Sequence, residues 1–235
     1  DNYIVPKQVP ANEFLNLEGQ KISTSRNWAV WLNEYLEDLP NRQDELRFVL
    51  HSIAPETKDS EFTWKDYQTR INSELVGILG NFANRVLVLM NKYYDGRVPN
   101  RNHTHSQQEL SDRFLKPITE KLSQYKFRDA LHAFMELARY GNKFLADTEP
   151  WKLVKSDTAK TEEIMQFAYE ILCNICIASE VFLPQTHQKL LSQLGLNLDA
   201  SEKLNFWNQN TWYVSRNNSQ IGEVSLLFSK IFLSP

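Results

Sequence analysis

The feature that most restricts how this chain can fold is a single apolar stripe running from Trp64 to Tyr94. Its members are Tyr67, Ile71, Leu75, Ile78, Phe82, Val86, Leu89 and Tyr93, spaced as one face of a helix requires. Thr63 is placed to cap the first turn and Gly96 falls just past the last. A helix of this length is a rod of about 45 Å, and its stripe reads as core rather than as a cofactor site.

Beyond the rod the chain is mostly helical too. Ser106 with Glu109 resembles a capping box opening a helix that Pro117 should kink. Further helices are expected over 127–145, 161–182 and 186–194, with Gly195 as a stop. After Leu198 the pattern changes. Trp207, Trp212, Tyr213 and the run Leu226-Leu227-Phe228 predict an ordered tail packed back on the body. Before the rod, residues 1–20 hold short apolar runs (Tyr3-Ile4-Val5, Phe14-Leu15) broken by Pro6, Pro10 and Gly19, which read as extended segments or short strands. Trp28, Trp31, Leu32, Tyr35, Leu36 and Leu39 predict a helix from Trp28 stopped by Pro40. A second short helix fits 44–53, and residues 54–60, without periodicity, form the best domain boundary. The fold class is therefore mainly α, a helical bundle preceded by a small mixed α/β piece. The two units are 1–62 and 63–235.

Charge excludes a simple electrostatic nucleic-acid binder. Lys and Arg number 26 against 29 Asp and Glu, a net −3, whereas a domain that holds RNA through its phosphates is basic on at least one face. The clusters Lys121, Lys126, Arg128 and Lys152, Lys155, Lys160 read as solvated helix faces. If the chain binds RNA, it does so by reading unpaired bases at a few points. No uninterrupted apolar run is long enough to cross a bilayer. Two cysteines make no disulfide framework, which suits a reducing cytoplasm. The first residue is Asp1 and no apolar leader comes after it, so the chain is expected to be a piece of a longer protein.

Several weaker signals carry no function. Cys173 and Cys176 have metal-ligand spacing, but they sit in an apolar helical pattern without a second pair and read as buried thiols. His103-Thr104-His105 reads as surface loop. His51, His132 and His187 are scattered. No metal site is expected.

Two stretches carry chemistry. The first is Lys21-Ile22-Ser23-Thr24-Ser25, continued by Arg26-Asn27-Trp28-Ala29-Val30-Trp31. It is a flexible loop after Gly19 whose hydroxyls and lysine are suited to a polyphosphate. It resembles the KMSKS signature of class I aminoacyl-tRNA synthetases, and its continuation resembles the methionyl-tRNA synthetase family in particular. The second is Asn81-Phe82-Ala83-Asn84-Arg85, which resembles the helix motif by which that family reads the anticodon. Asn81 and Arg85 match its base-contacting residues and fall a turn apart on one shoulder of the apolar stripe. Glu149-Pro150-Trp151 resembles the family's Pro-Trp step, whose indole offers a stacking face for an unpaired base. The resemblance covers nearly the whole chain. It includes residues 55–64 and Leu227-Phe228.

The resemblance implies a role for each. Lys21 would act on the pyrophosphate leaving ATP, within an ATP-binding loop of Lys21, Ile22, Ser23, Thr24 and Ser25. Thr24 stands where the family usually has its second lysine, so that contact does not carry over. Asn81, Arg85, Pro150 and Trp151 would bind the anticodon of methionine tRNA. The implied reaction is the ligation of methionine to its tRNA in the cytoplasm, with ATP and magnesium, by the longer protein. The 235 residues alone, without the nucleotide-binding half, the methionine pocket or the zinc-bearing insertion, are expected to be inactive and to hold no cofactor. The partner is the methionine tRNA anticodon loop, with methionine and ATP bound only by the longer protein, and with neither DNA nor a membrane. The alternatives are the anticodon-binding region of another class I synthetase and a non-catalytic helical tRNA-binding or scaffold module.

Overall fold

The computed structural model describes residues 4–100, 105–215 and 219–232. Its first ordered unit is a hairpin, β1 (Leu15–Leu17) against β2 (Gln20–Lys21), with Leu17 opposite Gln20. Glu18 and Gly19 form the turn, both at positive φ (48° and 74°), the hand that matches the twist of the flanking strands. β3 (Ser60–Phe62) lies parallel to β1 on its other side, Leu17 beside Phe62. Three bonds tie the turn to β3 and to the start of the rod. Glu18 N donates to Phe62 O at 3.0 Å, Trp64 N donates to Glu18 Oε1 at 2.7 Å, and Gly19 N donates to Glu61 Oε1.

Between the hairpin and β3 lie α1 (Leu32–Asp38) and α2 (Gln43–Ser52). The expected start at Trp28 is corrected. Trp28 instead forms an antiparallel bridge with Ser23, and its Nε1 donates to Leu17 O at 2.9 Å. Helical spacing is present, but the indole is used to close a loop, and Trp31 is still extended. Ile4 and Val5, expected in an extended segment or short strand, are exposed and belong to no strand, and Tyr3 lies outside the described residues.

The rod forms as expected, with one difference. Thr63 Oγ1 accepts from Asp66 N at 3.0 Å, satisfying an orphan donor of the first turn. The helix then runs from α3 (Trp64–Arg70) through a wide π stretch (Ile71–Gly80) into α4 (Asn81–Tyr94). Tyr67, Ile71, Leu75, Phe82 and Val86 are buried, but so are Leu79, Ala83, Leu87 and Met90, while Ile78, Leu89 and Tyr93 are only half-buried. Turns closed by bonds to the fifth residue unwind the helix and move the core stripe round it.

The bundle around the rod is α5 (Gln107–Leu110), a second wide stretch (Ser111–Leu115), α6 (Lys116–Ser123), α7 (Phe127–Thr148), α8 (Pro150–Leu153), α9 (Thr158–Ser179), α10 (Pro184–Leu194) and α11 (Ala200–Gln209). Pro117 does not sit inside a regular α-helix. The turn before it is widened, so that Lys116 N–H reaches Ser111 O, which relieves the clash a proline causes. Helix α9 is buried on every side from Ile164 to Ser179, including a polar stripe of Gln166, Glu170 and Asn174. It starts earlier than expected because Asp157 caps it, accepting from Lys160 N at 2.9 Å. α11, which the apolar spacing did not predict, opens on a full capping box of Asp199 and Glu202.

The tail does pack back. Asn174 of α9 exchanges two bonds with the Tyr213 backbone (3.0 and 2.9 Å), and Asn72 of the rod exchanges two with Ile231 (both 2.9 Å). Trp212, Leu227 and Phe228 are buried, but Leu226 is 68% exposed. α2 joins the same body: Asp44 accepts from Thr186 N at 2.6 Å at the start of α10, and Arg47 donates to the Val181 and Phe182 carbonyls. By length and composition the rod would also be able to cross a membrane; in this fold it lies against α7, α9 and the tail.

Candidate functional site: a base-sized patch and a phosphate-type loop

The patch is set by how closely α4 and α7 approach. A Cβ at Gly141 would stand 2.4 Å from the Phe82 ring, so only glycine allows the ring to lie flat on α7 at that point. On the outer edge of the contact, Asn81 Nδ2 donates to Asn142 Oδ1 at 3.0 Å. One turn further along α4 comes Arg85, half-buried.

Trp151 reaches the same place from another direction. α7 ends at Thr148, and Glu149 takes a left-handed conformation (φ 42°) that redirects the chain into α8. Pro150 is buried at the first position of α8, where its fixed φ suits the helix. This presents Trp151 half-buried, with the Arg85 guanidinium over its ring at 5.1 Å from the centroid. The structure thus brings Arg85 and Trp151 into contact and leaves Asn81 a turn away, bonded to Asn142. A planar cation over an aromatic face, with an amide one helical turn away, can stack a flat heterocycle and hydrogen-bond its edge. Sequence reasoning missed Asn142. The available signal was Gly141-Asn142, two poor helix formers side by side in mid-helix.

The Lys21 loop is built differently. Ser23 and Trp28 exchange backbone bonds at 2.9 Å each, Asn27 turns the chain at φ 51°, and Trp31 Nε1 donates to Asn27 Oδ1 at 3.2 Å. Arg26 folds back to donate to the Lys21 carbonyl at 3.3 Å. Lys21 itself is exposed, its ammonium 4.8 Å from the Phe14 ring centroid. Among the described residues no carboxylate lies within ion-pair distance of it. Ser23 and Ser25 bring their hydroxyls within 3.2 Å of each other. An exposed ammonium and two hydroxyls on one short loop are groups suited to a polyphosphate. Thr24 is exposed, and Ile22 lines an apolar pocket with Leu17, Val30 and Tyr35.

The remaining singled-out residues are structural. Cys173 and Cys176 are buried, and burial pushes both thiols well up. His105 stacks on Phe167 at 3.8 Å, while His103 lies outside the described residues. Lys121, Lys152 and Lys160 pair with Asp129, Glu149 and Glu163 at the surface.

Two family models match this chain, tRNA synthetases class I (M) over residues 1–87 and the anticodon binding domain of methionyl tRNA ligase over residues 95–231. Among curated relatives, the methionine–tRNA ligase of Cytophaga hutchinsonii is 48% identical over 235 residues, covering 98% of this chain and 33% of the relative. That of Parabacteroides distasonis is 51% identical over 234 residues, covering 98% and 34%. The chain therefore spans about a third of the length of the curated relatives it matches. Among solved structures, the free form of Mycobacterium tuberculosis methionyl-tRNA synthetase shares the fold with a TM-score of 0.77 at 22% identity, over 96% of this chain and 44% of that one. The same enzyme with methionyl-adenylate gives 0.76 at 24%, over 93% and 43%. With the anticodon-domain model matching more than half of its length, the chain belongs to the methionyl-tRNA synthetase family of class I tRNA synthetases.

Proposed function

We propose that this chain is the part of a methionine–tRNA ligase that reads the anticodon of methionine tRNA and carries the loop acting on ATP. The observation that supports the reading most is the Arg85–Trp151 contact with Asn81 one turn away. In this reading Trp151 supplies stacking that any base can use, and Asn81 and Arg85 supply the choice of base. By family resemblance that base is the cytosine opening the anticodon.

Residues 1–62 then end the catalytic region and residues 63–235 form the anticodon-binding unit. In the longer protein, working in the cytoplasm, Lys21 with Ser23 and Ser25 would hold the pyrophosphate as it leaves magnesium-bound ATP during methionine activation. A charge aimed at the leaving group favours the transition state over the ground state. Binding of this chain to anticodon stem-loop RNAs tests the reading: the methionine anticodon should bind tightest, and equal affinity for unrelated anticodons would reject it.

A further inference from the structure

We infer that Asn142 is a positioning residue that turns the Asn81 amide so that its carbonyl oxygen, not its amino group, faces the patch; the role rests on the patch being the base reader. The argument is one of hydrogen-bond accounting. An asparagine side chain has two N–H donors and one carbonyl oxygen. Asn142 Nδ2 donates to Ile78 O at 2.9 Å on the rod and to Ala138 O at 3.2 Å on its own helix. Both donors are used on backbone carbonyls, which can only accept, so the orientation of this amide is fixed. Its oxygen is left toward Asn81, and Asn81 must answer with a donor, Nδ2 at 3.0 Å.

Because an amide is planar with oxygen and nitrogen on opposite branches, pinning Nδ2 against α7 points Asn81 Oδ1 the other way. Asn81 is exposed, and with Nδ2 held by Asn142 its oxygen is left to accept from a base lying over the patch, one turn from Arg85. The patch then presents an acceptor from Asn81 beside the donors of Arg85. A base edge that offers an exocyclic amino group next to ring and carbonyl acceptors, as cytosine does, complements this order. A uracil would set its carbonyl against the Asn81 carbonyl. Without Asn142 the Asn81 amide could turn over and serve either base.

The test uses the full 235-residue chain and two anticodon stem-loop RNAs that differ only in cytosine or uracil at the first anticodon position. Dissociation constants are read by anisotropy, and melting temperatures are recorded alongside. Loss of a matched hydrogen bond is worth roughly tenfold in affinity, so the wild-type preference for cytosine should be of that order. Asn142→Ala should bring the ratio close to one by tightening binding of the uracil RNA, while binding of the cytosine RNA stays within about twofold. Asn142→Asp keeps the acceptor toward Asn81 but sets a carboxylate oxygen against the Ile78 and Ala138 carbonyls, which Asn142→Ala does not. It should therefore melt lower than Asn142→Ala yet keep the preference. If Asn142→Ala does not fold, Asn142→Leu fills the space without an acceptor and should lose the preference in its place. In an Asn81→Ala background, Asn142→Ala should change the ratio no further. A preference that survives Asn142→Ala, or one that falls in step with melting temperature through the Asp variant, overturns the role assigned to Asn142 while leaving the base-reading patch intact. A wild type that binds both RNAs equally overturns the patch reading and this role with it.

Discussion

The guanidinium of Arg85 lies over the indole of Trp151, 5.1 Å from its ring centroid, so a helix near the start of the bundle and a proline-led turn much later in the chain share one surface. One face of the indole is engaged by the cation, and the side chain is half-buried rather than enclosed. Trp151→Ala should weaken binding of every anticodon variant by about 1–3 kcal/mol. Arg85→Ala should mainly abolish the preference for the methionine anticodon. Because the two side chains touch, the double variant should fall short of the sum of the singles by roughly 0.5–1 kcal/mol. Titrations with matched stem-loops measure all three, and full discrimination by Arg85→Ala would remove Arg85 from the reading.

Gly141 supports that surface from beneath. Adding a methyl at Gly141 drives a carbon to within 2.4 Å of the Phe82 ring, and the ring is fully buried with no room to retreat. Gly141→Ala should cost about 1–3 kcal/mol, lowering the melting temperature by roughly 2–4 °C per kcal/mol in a chain of this size. Phe82→Leu combined with Gly141→Ala should be less damaging than the two losses added together. Calorimetry on the four proteins is the check, and strict additivity would mean that the ring and the glycine do not constrain each other.

Lys21 is expected to matter to rate rather than to affinity. In the longer protein Lys21→Ala should slow adenylate formation by about 2–4 kcal/mol of activation free energy, with methionine binding little changed. Thr24→Lys should be tolerated. The 235 residues alone should give no methionine-dependent pyrophosphate exchange, since they match only a third of each relative. An unchanged rate in Lys21→Ala would transfer the role to Arg26 or to the loop backbone.

Alkaline pH should loosen the joint between α1 and the rod. The Tyr35 and Tyr67 hydroxyls lie 2.7 Å apart in the core. Burial pushes Tyr35 up to about 12 and Tyr67 higher still. Both folded values exceed the ordinary value of 10.0, so the stability held by the neutral pair is complete below pH about 10 and is lost as pH climbs through about 12. Urea midpoints measured across that window should fall together with the rise of tyrosinate absorbance. Tyr35→Phe should flatten part of the slope.

What the sequence made legible was whatever one element could decide by itself. Thr63, Gly195 and the apolar spacing of the long helices carry local signals, and those helices appear within a few residues of their expected bounds. The rotation of the stripe within Ile71–Gly80 was not legible, because a widened turn depends on the tail packing beside it, including Phe228 against Gly80. Neither was β3, three residues long and held by a parallel partner far away in sequence. Trp28 shows the same limit from the other side: helical spacing counted it into α1, but the Leu17 carbonyl claims its indole. In the patch, Asn81, Arg85 and Trp151 could be named from motif alone. Asn142 could not, since its importance lies in where its two donors go, and both acceptors are main-chain oxygens with no residue signature.

The hairpin turn at Glu18 and Gly19, bonded to Glu61, Phe62 and the first amide of the rod, makes the Lys21 loop and the Arg85–Trp151 patch two stations on a single shaft. About 25 Å of helix lies between Trp64 and Asn81, and the π stretch falls inside that interval. Torsional phase between the stations therefore depends on how far those ten residues are unwound. Adding or removing one residue there would swing Asn81 and Arg85 around the axis away from Trp151 while leaving both local motifs unaltered in sequence. If the patch reads a base as proposed, intervening helix length is as much a part of the recognition device as Asn81, Arg85 and Trp151 themselves.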